Sequence, residues 1–178
     1  MCPLLPVAFA LGANLGDRGA SLAAAAGALV ASGIVSDPLL SSVYETSPLG
    51  EAQPAYLNQV LVGRSRAGPR ELLDLARAIE ERLGRVRDGT RWGPRVIDVD
   101  LLVVGGEVRR EPDLVLPHPG IAARRFVLEP WAEVDPRFVV PGLGRSVDEL
   151  LAELLARGDR STVERRSPAD LSRERRGS

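Results

Sequence analysis

Residues 69–104 read PRELLDLARAIEERLGRVRDGTRWGPRVIDVDLLVV and contain the two clearest secondary-structure elements of the chain. Apolar residues recur every three or four positions after Pro69, which is typical of an amphipathic helix with proline in its first turn. Gly84 supplies the glycine that commonly follows the last turn, so the helix is predicted over 69–83. Residues 96–104 are mostly branched and apolar, which predicts a strand. The arginine- and glycine-rich residues between them predict a loop.

The flanking sequence extends this pattern in both directions. The order strand, helix, strand, strand, helix, strand is that of the split βαβ, or ferredoxin-like, arrangement. Gly105 and Gly106 predict a tight hairpin turn that leads the chain into residues 107–109. The remaining predicted elements are strands at 7–12, 39–44, 56–63 and 138–140 and helices at 20–31, with Asp17 as its N-cap, 125–134 and 147–155.

Length and composition predict one globular domain and exclude several classes of protein. Residues 1–158 are predicted to form the domain, and residues 159–178 are rich in Arg, Glu and Ser and predict a disordered tail. A net charge of −1 argues against nucleic-acid and anionic-membrane partners. With Cys2 as the sole cysteine and no export or membrane segment expected, the sequence indicates a cytoplasmic protein without disulfides or cysteine-based zinc.

The basic residues restrict how a nucleotide could be held. All 23 are arginine, so the chain cannot contain a phosphate-binding P-loop lysine. Any bound polyphosphate would depend on arginine and on a metal ion.

Asp98 and Asp100 form the candidate metal site. Side chains alternate along a strand, so both carboxylates point to one face, with their Cα atoms roughly 6.6 Å apart. They could hold one Mg²⁺ or two with a shared ligand, since paired metals in phosphoryl-transfer sites lie about 3.5–4 Å apart. The alternative is a solvated strand face, but that face turns apolar at Leu102 and Val104.

Five separated motifs resemble the 6-hydroxymethyl-7,8-dihydropterin pyrophosphokinase family of folate biosynthesis. They occur in the same order and register over residues 7–155, and Arg-Trp-Gly-Pro-Arg-x-x-Asp-x-Asp is the most specific of them. The motifs are residues 10–16 (ALGANLG), 42–50 (SVYETSPLG), 53–58 (QPAYLN), 85–100 (RVRDGTRWGPRVIDVD) and 116–119 (LPHP).

The resemblance implies a fold and a reaction. The fold would be α+β, a ferredoxin-like three-layer α/β/α sandwich with a mainly antiparallel sheet. The enzyme, expected to act as a monomer, would move a pyrophosphoryl group from ATP to the hydroxymethyl oxygen of 6-hydroxymethyl-7,8-dihydropterin and release AMP. Positioning and electrostatics would then carry the catalysis, with no covalent intermediate.

The resemblance also implies roles for individual residues. Asp98 and Asp100 would bind two Mg²⁺, Arg85 and Arg95 would contact phosphates, and Arg87 and Trp92 would belong to a mobile catalytic loop. Tyr56 and Phe126 would sandwich the pterin, while Asn58 would read its polar edge. The remaining matching positions are Thr46 and Leu49 for the pterin and Glu80, Leu101, His118 and Arg124 for ATP. Asp88, Pro119 and Arg77 depart from the family pattern.

Other functions remain open on the residues alone. A non-catalytic ferredoxin-like module could bind Mg-nucleotide without turnover. A metal-dependent phosphohydrolase or an Asp-x-Asp glycosyltransferase could also use the carboxylate pair, but neither accounts for Tyr56, Asn58 and Phe126 together.

Overall fold

The computed structural model describes residues 3–47, 54–85, 95–167 and 170–171. The elements, in chain order, are β1 (Leu5–Ala13), α1 (Arg18–Ala31), β2 (Val35–Leu40), β3 (Val43–Thr46), β4 (Tyr56–Ser65), α2 (Pro69–Arg82), β5 (Asp98–Val104), β6 (Arg109–Glu111), β7 (Leu114–Leu116), a 3-10 turn at Ile121–Ala123, α3 (Arg125–Val134), β8 (Val139–Val140), β9 (Arg145–Ser146), α4 (Val147–Ala156) and β10 (Val163–Arg166).

Local sequence signals account for the ends of the helices. Asp17 caps α1, since its carboxylate accepts a hydrogen bond from Ala20 N at 2.8 Å. Gly84 follows α2 with φ of +89°, a conformation that favours glycine. Ser146 and Glu149 form a reciprocal capping box at the start of α4. These predicted and observed boundaries agree within a few residues.

The main sheet is antiparallel throughout and has the order β10-β3-β4-β1-β5, with β2 also paired to β4. The single strand predicted over 39–44 is instead two strands. The interruption falls at Ser41, whose Oγ accepts a hydrogen bond from Val60 N at 3.0 Å. A serine side chain that bonds to the neighbouring backbone competes with the regular ladder.

Two apolar clusters cover the two faces of the sheet and make three layers. One cluster packs α1 and α2 on the sheet around Phe9, Leu22 and Leu72. The other packs α3 on the opposite face around Leu102 and Trp131, and α4 adds Leu150 to it. The structure therefore confirms an α+β, three-layer sandwich with a mainly antiparallel sheet. Among the described residues, no helix is long and apolar enough to cross a membrane.

Two local predictions were wrong. The turn at Gly105 and Gly106 is present, but β6 pairs with β7 and not with β5. Arg70 on α2 fixes this hairpin over the helix, with a bond of 2.6 Å to Glu111. The predicted tail also contains a strand, because β10 pairs with β3 along its whole length. Polar composition hid this strand, since an edge strand needs few apolar residues.

Candidate active site

The pairing of β4, β1 and β5 places three residues side by side at the bottom of a cleft. Gly12 on β1, which lies between β4 and β5, is paired with Asn58 on β4 and with Asp98 on β5. Directly opposed residues share a face of the sheet, so the amide and the carboxylate lie on either side of Gly12. A Cβ at Gly12 would come within 3.3 Å of Asn58 Oδ1. Glycine at this position therefore keeps the floor open between them.

The cleft has a volume of about 350 Å³ and collects most of the predicted site residues. Its wall also includes Gly12, Ser47 and Pro119. The predicted residues that line it are Thr46, Tyr56, Asn58, Arg95, Asp98, Asp100, His118, Arg124 and Phe126. Most of these side chains come from two parts of the sequence. The first part is β3, β4 and the adjacent Ser47, and the second is residues 95–126.

Arginines surround Asp98 on one side of the cleft. Arg95 donates to Asp98 Oδ2 at 2.9 Å, and Arg85 donates to Oδ1 at 2.5 Å. Arg85 also pairs with Glu80, although neither of these two side chains lines the cleft. Asp98 is therefore held between two guanidinium groups that phosphate oxygens could engage instead.

Asp98, Asp100, Arg95, Arg124 and His118 line one side of the cleft, here called the charged wall. Asp100 and its neighbours form the part of this wall away from Arg95. Its Oδ2 lies 3.4 Å from an Arg124 nitrogen and 3.7 Å from His118 Nε2. Burial raises the pKa of Asp100, and the negative charge of Asp98 raises it further, against the opposing charges around it. Two repelling carboxylates on one strand face are an arrangement that a divalent cation stabilises.

The protein partners of His118 orient its ring. Its Nδ1 accepts a hydrogen bond from Gly120 N at 3.1 Å, which leaves Nε2 as the nitrogen directed at Asp100. Burial lowers the pKa of His118, although the charge of Asp100 acts in the opposite direction. A neutral ring with a hydrogen on Nε2 can donate to an anionic oxygen in the cleft.

Glu80 is placed as a support for the strand that carries the carboxylates. It is only 2% exposed, and its Oε1 accepts a hydrogen bond from Val99 N at 2.8 Å. Burial raises its pKa to about 7. Because Glu80 bonds to both β5 and Arg85, it supports Asp98 from behind, through the strand that carries it and through one of its arginine partners.

The other side of the cleft, here called the neutral wall, is lined by Thr46, Tyr56, Asn58 and Phe126. Asn58 Nδ2 donates to Thr46 Oγ1 at 2.7 Å, which fixes the orientation of the buried amide. Tyr56 lies on the same strand face two residues before Asn58. Phe126, at the start of α3, carries the Arg124 guanidinium 5.7 Å from its ring centre. Such a wall suits a flat heterocycle with a polar edge.

Asn14 lies in the motif at residues 10–16, and no role for it was predicted from the sequence. It is 2% exposed, and its Oδ1 accepts a hydrogen bond from Arg95 N at 2.7 Å. Its Nδ2 donates to Pro54 O at 3.3 Å. A single amide thus fixes the backbone on both the charged and the neutral side. A polar residue directly after an apolar strand was the available signal.

Some predicted residues fall elsewhere. The Leu101 side chain is 5% exposed and packs in the core under α1 and α2, so only its backbone could contact a nucleotide. Arg77 is directed at Asp113, 3.3 Å from its carbonyl oxygen. Predictions for Leu49, Arg87 and Trp92, and the departure at Asp88, lie outside the described residues.

The donor set fits magnesium with help from a substrate. Within residues 3–47, 54–85, 95–167 and 170–171, no three His, Cys, Asp or Glu side chains cluster closely enough to hold a metal ion. Mg²⁺ is commonly held by one or two carboxylates together with substrate phosphates and water. Asp98 and Asp100 supply those carboxylates, and their mutual repulsion favours a cation between them.

Comparison with known proteins gives curated relatives with one shared name, 2-amino-4-hydroxy-6-hydroxymethyldihydropteridine pyrophosphokinase. The protein from Methylorubrum extorquens is 40% identical over 156 residues, covering 87% of this chain and 94% of that protein. The Bacillus subtilis protein is 42% identical over 126 residues, covering 70% and 75%. The Mycobacterium tuberculosis protein is 42% identical over 161 residues, covering 83% of each.

Solved structures agree on the fold. A Plasmodium falciparum HPPK-DHPS triple mutant with pteroate matches with a TM-score of 0.66 at 13% identity, over 88% of this chain and 44% of that one. An HPPK-DHPS in complex with substrates matches with a TM-score of 0.67 at 11% identity, over 87% and 44%. The chain therefore spans less than half the length of these structural neighbours.

A family model described as 7,8-dihydro-6-hydroxymethylpterin-pyrophosphokinase (HPPK) matches residues 8–136, which include the whole cleft and more than half of the chain. Together with the identities to the curated relatives, this match shows that the chain belongs to the 7,8-dihydro-6-hydroxymethylpterin-pyrophosphokinase family.

Proposed function

We propose that this protein transfers a pyrophosphoryl group from ATP to the hydroxymethyl oxygen of 6-hydroxymethyl-7,8-dihydropterin and releases AMP, in folate biosynthesis. One observation carries the proposal. Gly12 separates a neutral, aromatic wall from a wall of carboxylates and arginines within a single cleft. A flat acceptor and a triphosphate can therefore lie side by side, and family membership names this pair of substrates.

ATP lies along the charged wall in this proposal. Arg95 and Arg85 exchange part of their hydrogen bonding with Asp98 for hydrogen bonds to phosphate oxygens. Arg124 and His118, which both contact Asp100, face the same polyphosphate. Fixed positive charges stabilise the negative charge that develops on the transferring group. Glu80 and the backbone at Leu101 complete the nucleotide side behind this wall.

Two Mg²⁺ ions bind at Asp98 and Asp100 in this proposal. When bound, they neutralise phosphate charge and align the substrate oxygens for transfer. The two aspartates provide anchoring oxygens from one strand face, and the flanking arginines limit where the triphosphate can sit.

The pterin occupies the neutral wall. Tyr56 and Phe126 provide aromatic surfaces for the ring system, and an offset aromatic contact contributes about 0.5–1.5 kcal/mol beyond burial. Asn58, oriented by Thr46, offers the paired donor and acceptor that a pterin edge requires. We assign Leu49 to the same substrate and Arg87 and Trp92 to catalysis on the resemblance alone.

The bond changes are simple. The hydroxymethyl oxygen forms a bond to the β-phosphorus and loses its proton to solvent. The bond from that phosphorus to the oxygen bridging it to the α-phosphate breaks, and AMP leaves with that oxygen. We further propose that the protein acts as a monomer in the cytoplasm.

The test is release of AMP from Mg-ATP, with and without 6-hydroxymethyl-7,8-dihydropterin. Pterin-dependent AMP is the expected result, and mass spectrometry of the diphosphorylated pterin identifies the second product. A simple ATPase would instead give ADP and phosphate. Folded protein that binds Mg-ATP but releases no AMP would overturn the proposal and favour the non-catalytic binding module.

A further inference from the structure

The C-terminal strand β10 is placed to support the neutral wall of the cleft. The family match ends at residue 136, so it assigns this segment no role. We propose that residues 159–166 hold the β3 and α3 parts of the pterin-facing wall in position, with Arg125 as the positioning residue. This inference rests on the proposed function, which places the pterin at that wall.

The first contact is made with β3. Val163 pairs with Thr46, and Ser47 N donates to Thr162 O at 3.4 Å. Thr46 in turn receives the hydrogen bond from Asn58 and lines the cleft beside Ser47. β3 has only four residues, so without β10 its outer edge would lose these backbone bonds. The position of Thr46, and hence the orientation of the Asn58 amide, depends on this pairing.

The second contact is made with α3. Arg125, its first residue, donates to Ser161 O at 2.9 Å, and Asp159 fixes the turn by accepting from Ser161 N at 3.0 Å. The next residue along α3 is Phe126, which lines the cleft. The turn before β10 therefore anchors the start of the helix that presents an aromatic ring to the pterin.

A third contact joins the same elements further from the cleft. Glu133 on α3 accepts hydrogen bonds from Ser42 at 2.8 Å and from Tyr44 at 3.0 Å. Arg165 on β10 bonds to Ser42 Oγ at 2.8 Å and to Glu133 at 3.1 Å. β10, β3 and α3 are thus connected at two places: beside the cleft at the start of α3, and further from the cleft at Glu133. The carboxylates Asp98 and Asp100 lie on β5, at the opposite end of the strand order from β10.

The expected signature is a selective loss of pterin affinity. Arg125→Ala should raise the KM for the pterin about fivefold or more while the KM for ATP changes less than about twofold, since a hydrogen bond to a charged group is lost at one wall only. Glu129→Gln is the matched control, because it removes the ion pair of Arg125 with Glu129 at 2.7 Å but retains the bond to Ser161. Arg125→Lys, which keeps a donor, should restore much of the affinity.

Truncation gives a second, independent test. A chain ending at Gly158 should show the same selective rise in the KM for the pterin, and a chain ending at Leu171, which retains β10, should match the full chain. If the shorter chain does not fold, as judged by circular dichroism, the Arg125 series decides. Equal changes in both KM values, or none for Arg125→Ala, would overturn the inference.

The same assay separates this inference from the proposed function. Tyr56→Ala should raise the KM for the pterin whether or not β10 supports the wall. If Tyr56→Ala has that effect and neither Arg125→Ala nor the Gly158 truncation does, the role of β10 is wrong and the proposed function stands. Absence of pterin-dependent AMP from the full chain would overturn the proposed function itself.

Discussion

The two walls of the cleft differ in how their side chains are held. On the charged wall, Asp98 is bound by Arg85 and Arg95, which are the groups expected to bind phosphate. On the neutral wall, the amide of Asn58 is oriented by Thr46, a partner that a ligand need not displace. One wall must therefore exchange partners when substrate arrives, whereas the other is already arranged. Substitutions should consequently affect turnover on the first wall and affinity on the second.

The largest effect is expected at the carboxylates. Asp98→Ala and Asp100→Ala should each reduce kcat by about 10³-fold or more, because each removes an oxygen ligand and leaves arginine charge uncompensated. Pterin-dependent AMP release in Mg²⁺ measures this. Asp113→Asn, which alters an exposed carboxylate paired with Arg70 away from the cleft, is the control. Near wild-type rates for either alanine variant would refute the metal assignment.

Arg95→Ala should have the next largest effect, a fall in kcat of roughly 10²-fold, as is typical when one electrostatic stabiliser is removed. Arg95→Lys keeps the charge but loses the planar fork, so it should recover only part of the rate. Steady-state kinetics with ATP as the varied substrate distinguish an effect on the chemical step, seen in kcat, from an effect on ATP binding, seen in KM. A change confined to KM would show that Arg95 contributes to ground-state binding only.

Tyr56→Ala tests the neutral wall, where a substitution should change affinity and not turnover. Loss of the ring should raise the KM for the pterin about tenfold, with the KM for ATP nearly unchanged, since stacking and burial are lost on one wall. Tyr56→Phe retains the aromatic surface and should stay close to wild type. Equal losses of affinity for both substrates would contradict a stacking role.

The smallest effect concerns acid stability at Glu133, behind the neutral wall. Partial burial alone would raise its pKa, but hydrogen bonds from Ser42 and Tyr44 and the charge of Arg165 hold the pKa of Glu133 below its usual value. A depressed pKa stabilises the fold above the unfolded value of about 4.3, and this contribution disappears as pH falls through the folded pKa.

Glu133→Gln should therefore destabilise the protein by about 1 kcal/mol at pH 7 and by less near pH 3. Urea unfolding at the two pH values measures the difference, with Glu129→Gln as a neighbouring control on the same helix. A destabilisation that does not depend on pH would show that the charge of Glu133 does not contribute.

The fold was predictable where the signal was local. Period and capping gave α2 to within a residue, because Pro69 and Gly84 act on the adjacent turns. The pairing of β6 with β7 was missed because each strand has only three residues and β6 reads Arg-Arg-Glu, which contains no apolar side chain. β10 was missed for a similar reason, since its partner β3 supplies the ordering energy and its own residues are mostly charged.

The cleft was predictable to a different degree. The resemblance placed most of its residues, and the structure brings nine of them to one wall or the other. Strand alternation alone gave Asp98 and Asp100 a common face. No local pattern could show that Gly12 lies between Asn58 and Asp98, or that Asn14 bonds to Arg95, because both facts depend on register between strands.

The composition of β10 has a consequence for solubility. Covering β3 removes one exposed sheet edge and creates another, and an uncovered edge is a template for pairing between molecules. The new edge reads Val-Glu-Arg-Arg, so its charged side chains resist close approach by a second strand. Loss of this segment would expose β3, with its Val-Tyr-Glu-Thr sequence, and aggregation in concentrated solution would then compete with folding.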